Sequence, residues 1–348
     1  MRLLQAAGIK VVATGLDHGT VTAVSNHRGF EVTTLREDVE TYGRRAKVAF
    51  TDDWQADAAR RDFTFNAMSL APNGRLYDSF GGRADLAAGR VRFVGAAAER
   101  IEEDYLRILR FFRFFAHFGR PPADPEALAG CRELAAGLER ISAERIRVEL
   151  LKLLTGSACL DALGLMEETG VLARVLPEAT RRDRLAALIG LEPKGEASAL
   201  RRLGALIEAD GEAALALGER LRLSNAEKRA IAAMAEPLPE LTPGAGGTAR
   251  AQGLYRLQPP VLDTVFVAAA ESVTRGESPE ALGPWLEDAR DWARPVFPLT
   301  GQDVMAAGIA AGPEVGRLLT AVEDWWVAEG FQPDAGACRA KLRQLTGG

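Results

Sequence analysis

Between Arg100 and Phe115 the chain reads Arg-Ile-Glu-Glu-Asp-Tyr-Leu-Arg-Ile-Leu-Arg-Phe-Phe-Arg-Phe-Phe. At 3.6 residues per turn, Tyr105, Ile108, Leu109, Phe112, Phe115 and Ala116 fall on one stripe, the face that packs on a core. Asp104, Arg107, Arg110 and Arg113 follow one another at i, i+3 steps and form a slanting row on another side. Phe111 and Phe114 sit among those arginines, where a solvated face would rarely carry two aromatic rings. The spacing predicts one continuous helix packed on both faces. Its charges are either surface ion pairs or a rigid display of one carboxylate and several guanidinium forks toward an anionic, planar ligand such as a nucleotide.

Before this helix the period is short. Met1–Ala7 reads as the tail of an amphipathic helix closed by Gly8. Three β runs follow at Ile9–Thr14, His18–Ser25 and Phe30–Arg36, with Asn26–Gly29 as the turn between the last two. Glu31 and Thr33 share one face of the third run, a position for a metal ligand or, more simply, an exposed edge. Residues 37–58, charged and interrupted by glycine, suggest a mobile connection. In Ala58–Met68 the polar residues Arg61, Asp62 and Asn66 gather at the start of a turn or strand, and a hairpin closed by Asn73-Gly74 comes next. Gly81-Gly82 lacks the Lys-Ser/Thr that completes a P-loop and reads as a turn.

From Glu99 onward nearly everything has helical period. Segments are expected at Pro125–Gly137, Ala143–Leu154 capped by Ser142, Ala158–Glu168, across 180–235, and at 248–257, 260–276 and 279–293. Pro237–Gly247 is the expected loop. Pro295–Pro298 marks a last boundary before two closing helices, the second holding Trp325 and Trp326. The fold class implied is α+β, a small mixed sheet followed by an all-α remainder.

The 348 residues are 47% hydrophobic and 26% charged, ordinary for a globular chain of more than one domain. Of 43 basic side chains only six are lysine. The net charge of −5 argues against wholesale coating of a polyanion, but residues 1–150 carry 22 basic and 21 acidic groups whereas the rest carry 21 and 27. A polyanion site is therefore expected to be local and in the first half. Cys131, Cys159 and Cys338 make neither a disulfide framework nor a zinc pattern, and His18, His27 and His117 have no metal-ligand spacing. A reducing, cytoplasmic setting follows, and no apolar run approaches the 18 residues of a membrane span.

Two polar motifs, Arg60-Arg61-Asp62-Phe-Thr-Phe-Asn66-Ala67 and Glu103-Asp104-Tyr-Leu-Arg107-Ile-Leu-Arg110-Phe-Phe-Arg113-Phe114, resemble the class II tRNA nucleotidyltransferase and poly(A) polymerase family. His18-Gly-Thr-Val, Glu31–Arg36, Asp78–Leu86, Ile141–Ile146 and Leu299–Asp303 look like further pieces of it, in the family's order. The resemblance implies a partial polymerase-β-like head over 1–98, a helical nucleotide-selecting and neck domain over 99–190, a body over 191–294 and a tRNA-contacting tail over 295–348. It implies that Arg61, Asp62 and Asn66 hold the ribose and triphosphate. It makes Asp104 and Arg107 the protein template for CTP and ATP, while Arg110 and Arg113 steady the helix and the phosphates. The chemistry is apt: a carboxylate accepts from the exocyclic amine that cytosine and adenine share, and a guanidinium donates to the neighbouring ring acceptor.

The implied reaction is addition of C, C and A to tRNA 3′ ends without a nucleic-acid template, with the tRNA acceptor arm, CTP and ATP as partners and no obligate protein partner. Poly(A) polymerase activity and a non-catalytic RNA-binding remnant are the alternatives. The family holds Mg²⁺ on an Asp-x-Asp strand after a Gly-Gly-x-x-Arg-Asp turn. This sequence has no Asp-x-Asp and first matches the family downstream of both motifs. The expectation is a chain truncated at its front that binds nucleotide weakly and does not catalyse.

Overall fold

The computed structural model describes residues 1–16, 19–42, 45–235 and 237–346. They form two compact units, Met1–Ala179 and Thr180–Gly348.

In the first unit, α1 (Arg2–Ala6) is followed by Gly8 at φ +75°, the left-handed conformation glycine supplies after a helix. Strands β1 (Lys10–Gly15), β2 (Thr20–Ser25) and β3 (Arg28–Thr33) form an antiparallel sheet in that order. Ser25 pairs with Arg28, so the turn is Asn26–His27, both at positive φ, two residues tighter than the Asn26–Gly29 span suggested. The strand start expected at His18 lies outside the described residues.

The segment read as a mobile connection is structured. Strands β4 (Arg36–Tyr42) and β5 (Arg45–Phe50) pair as an antiparallel hairpin, and α2 (Trp54–Ala59) follows. Val39 and Thr41, then Ala46, Val48 and Phe50, recur at every second residue; that alternation is a strand signal which the intervening charges mask. The Asp53 carboxylate caps α2 by accepting from Gln55 N at 2.7 Å. A 3-10 turn (Thr64–Ala67) leads to the short hairpin of β6 (Ser69–Leu70) and β7 (Leu76–Tyr77), closed by Gly74 at φ +84°. Every strand pairing among the described residues is antiparallel, where a mixed sheet was expected. Gly81-Gly82 opens α3 (Gly82–Ala88), with both oxygens of Asp78 receiving the N–H groups of Gly82 and Arg83.

The expected single helix is two. The first, α4, spans Ala97–Glu103; Asp104 is extended (φ −155°, ψ 104°); and α5 runs Leu106–Phe118. Asp104 acts as a break because its carboxylate accepts Leu106 N and its carbonyl accepts Arg107 N, bonds that start a new helix and do not continue the old one. The row of side chains from Asp104 to Arg113 is therefore not one helical ridge. Helix α5 buries Ile108, Leu109, Phe111, Phe112 and Phe115, leaves Arg107, Arg110 and Phe114 part-buried, and exposes His117 and Phe118 at its end. Rings of Phe63, Phe93 and Phe111 pack in series, the first pair tilted at 4.7 Å and the second stacked at 6.1 Å between centroids, and tie the Arg60–Ala67 segment to α5. The unit is completed by α6 (Pro125–Glu133), α7 (Ala143–Leu154), α8 (Cys159–Glu168) and α9 (Val171–Val175). Ser142 stands at the N-cap of α7 but makes no side-chain capping bond.

The second unit is helical among its described residues: α10 (Arg182–Leu191), α11 (Ala199–Leu206), α12 (Gly211–Arg220), α13 (Asn225–Ala235), α14 (Gly247–Arg256), α15 (Val261–Thr274) and α16 (Pro279–Arg290). Three closing helices follow where two were expected: α17 (Gly301–Ala306), α18 (Pro313–Ala328), which carries both tryptophans, and α19 (Ala335–Thr346). The Asp334 carboxylate accepting Ala337 N restarts the chain as α19. One core gathers Leu254, Val265, Ala269, Leu282 and Trp285; a second gathers Leu299, Val304, Leu318, Val322, Trp326 and Leu342. No described helix is long and apolar enough to cross a membrane.

Candidate nucleotide site

The site begins on α2. Asp57, three and four residues before Arg60 and Arg61, pairs with both, at 2.6 and 2.7 Å, and also accepts Arg36 N from the start of β4. Burial pushes its carboxyl up, but the hydrogen bonds from Arg61, Arg60 and Arg36 outweigh that and hold it below the usual carboxylate range. The next acid, Asp62, is buried. One of its oxygens accepts Phe63 N and the Asn66 side-chain amide (2.9 Å), and the other accepts Nε of Arg110 at 2.6 Å. Asp62, Asn66 and Arg110 thus come together as one cluster, while the Arg61 side chain pairs with Asp57 beside it.

The helices α4 and α5 reach the same segment by its backbone. Arg100 donates to the Ala59 carbonyl and Arg107 to the Arg60 carbonyl, each at 3.4 Å. Arg107 also pairs with Glu103 and donates to the Arg100 carbonyl at 2.7 Å. Beyond the backbone bond from Arg107 N to the Asp104 carbonyl, the two side chains do not pair with each other. Both Asp104 oxygens instead face the fork of Arg145 on α7, at 3.2 and 2.6 Å. This pair opens on a cleft of about 320 Å³ lined by Glu102, Glu103, Tyr105, Arg140 and Ser142 besides the pair itself.

Arg113 sits apart. It is buried against Glu149 of α7 (3.1 Å) and lies over the ring of Phe114 at 4.1 Å, and burial lowers its pKa. Arg110 approaches the same ring, at 5.3 Å. Sequence reasoning missed Asp57, Glu103 as the partner of Arg107, Arg145 and Glu149. Asp57 and Glu103 were visible as local partners at i, i+3 or i+4; Glu149 and Arg145 are set by tertiary packing, 36 and 41 residues from their partners. Among the described residues no three His, Cys, Asp or Glu side chains come together to hold a metal ion.

Residues 1–92 match the family model described as the poly A polymerase head domain, and residues 123–182 the one described as the probable RNA and SrmB-binding site of polymerase A. The α+β head and helical remainder, with these matches and the relatives below, define a nucleotidyltransferase. The chain is 37% identical over 338 residues to the mouse protein named CCA tRNA nucleotidyltransferase 1, mitochondrial, covering 95% of this chain and 76% of that one. It is 32% identical to the CCA-adding enzyme of Limosilactobacillus fermentum, covering 89% and 78%. The Bacillus stearothermophilus CCA-adding enzyme solved with CTP superposes with a TM-score of 0.77 at 28% identity, over 97% of this chain and 84% of that one. The protein belongs to the CCA tRNA nucleotidyltransferase family.

Proposed function

We propose that this chain selects CTP and ATP with its own side chains for addition of C, C and A to the 3′ end of tRNA. The observation that carries the reading is the helix break at Asp104. It lifts one carboxylate out of the helical row and sets it at the rim of a cleft, while Arg107 stays on α5 against Arg60. The two groups that the reading assigns to the base are thereby offered from separate supports.

A carboxylate has about four lone-pair sites. Arg145 occupies two of them and Leu106 N a third, so Asp104 keeps about one acceptor site for the exocyclic amine of cytosine or adenine. Arg107 donates to the ring acceptor beside that amine. Arg61, Asp62 and Asn66 serve the ribose and triphosphate, with Arg110 fixing Asp62 and Arg113 bracing α5 against α7. Residues 1–98 act as head, 99–190 as selector and neck, 191–294 as body and 295–348 as tail on the tRNA acceptor arm. The setting is cytoplasmic or, by analogy with the mouse relative's name, mitochondrial.

Calorimetric titration of the purified chain with each ribonucleotide tests the reading. CTP and ATP bind more tightly than UTP and GTP, and Arg107→Ala removes that preference, an effect of about 10-fold, while leaving the melting temperature within a few degrees. Equal binding of all four nucleotides overturns it. Binding of ATP alone points to a poly(A) polymerase instead.

A further inference from the structure

Arg60 and Arg61 are neighbours with very different freedom. The Arg60 side chain is 14% exposed and doubly used: its Nε donates to the Arg36 carbonyl at 2.9 Å and to Asp57, and its Nη2 donates to Asp57 as well. It is a clasp between α2 and the start of β4. The Arg61 side chain is 40% exposed and meets Asp57 through Nη2 alone, at 2.7 Å, on the oxygen that Arg60 does not use. A guanidinium has five N–H donors, so this contact fixes the fork while most of its donors stay available.

The backbone beneath it is pinned separately. Arg100 and Arg107 hold the carbonyls of Ala59 and Arg60, and Asp62 is held by Asn66 and Arg110. With the main chain fixed on both sides, the aim of the Arg61 fork depends on Asp57, which is itself buried and fixed by Arg36 N.

We infer that Asp57 is a positioning residue for nucleotide binding: it aims the Arg61 guanidinium at the triphosphate of the incoming nucleotide. The inference rests on the reading of Arg61 as a triphosphate ligand. Asp57 acts only through Arg61 and touches no nucleotide.

The test compares CTP, CMP and UTP binding in the wild type, Asp57→Asn, Asp57→Glu, Arg61→Gln and the Asp57→Asn/Arg61→Gln pair, with a thermal melt of each. Asp57→Asn weakens CTP about 10-fold and CMP far less, and leaves the CTP-to-UTP ratio unchanged. In the Arg61→Gln background it adds no further loss. Asp57→Glu keeps the charge but displaces it by one methylene. It serves as the second variant where the Asn chain does not fold, Arg61→Gln at an exposed side chain being the third, and it still shows the weakened CTP binding. A parallel loss for CTP and CMP, or full CTP affinity in folded Asp57→Asn, overturns the inference. If Arg61→Gln itself leaves CTP binding intact, the assignment of Arg61 falls and the inference with it. A missing CTP-over-UTP preference in the wild type strikes only the base-reading proposal.

Discussion

Each unit holds a knot of arginines and carboxylates, and the two knots differ in what they leave open. In the second unit, Glu192 (2% exposed) takes Arg202 at 2.8 Å and Arg201 at 3.6 Å. Arg201 continues to Asp263 at 3.0 Å and lies 4.4 Å over the ring of Phe266. Burial pushes the Asp263 carboxyl up. Glu192, Arg201 and Arg202 are at most 8% exposed, Asp263 at the edge is 23% exposed, and the knot ties together α10, α11 and α15. In the first unit the pairs are half open: Arg61 at 40%, Asp104 at 27% and Arg145 at 21%. The same chemistry makes a fastening when dry and a receptor when its outer donors and acceptors remain wet. Arginine content alone therefore locates nothing; exposure of the paired groups does.

The comparison breaks first at Glu192. Glu192→Ala strips a buried carboxylate from two buried guanidiniums and lowers unfolding free energy by about 3–5 kcal/mol in denaturant titration, with nucleotide preference intact. A loss below about 1 kcal/mol would show that the second knot is no fastening.

Asp57 sharpens the contrast through pH. Its folded pKa is held below the unfolded value of about 3.9. Its contribution is thus complete above that value and is lost as pH falls through the lower folded one. Thermal melts of wild type and Asp57→Asn differ by about 1.5–3 kcal/mol at pH 7, and the gap closes in acid. A gap that widens toward pH 3 contradicts the ion-pair account.

The smallest effect belongs to Arg290–Glu196, at 2.9 Å and with both side chains more than two-fifths exposed. Arg290→Ala changes stability by about 0.2–1 kcal/mol, measured in the same titration. A larger change would blur the line between buried and exposed pairs.

The boundary between the legible and the hidden follows the range of the forces. The helical character of the second unit, the Asn73-Gly74 hairpin and the Asp62–Asn66 contact are local and could be read from period and turn chemistry. The break at Asp104 was hidden because the apolar stripe keeps helical spacing straight through it; the hydrophobic signal is blind to a carboxylate that accepts the first N–H of a new helix. The β4–β5 hairpin was hidden by its charges, which outvoted the alternation beneath them. Arg145 had no local sign at all, since its partner lies 41 residues away.

Gly82 shows how far such a site extends. A Cβ there would fall inside van der Waals contact with the Thr64 carbonyl and 2.7 Å from the Phe65 Cα, main-chain atoms that cannot swing aside. Even alanine at this point must lift the strip that carries Asp62 and Asn66, although it meets no ligand. A genetic screen for lost tRNA maturation would then score position 82 as though it touched substrate, when its true service is to keep out of the way.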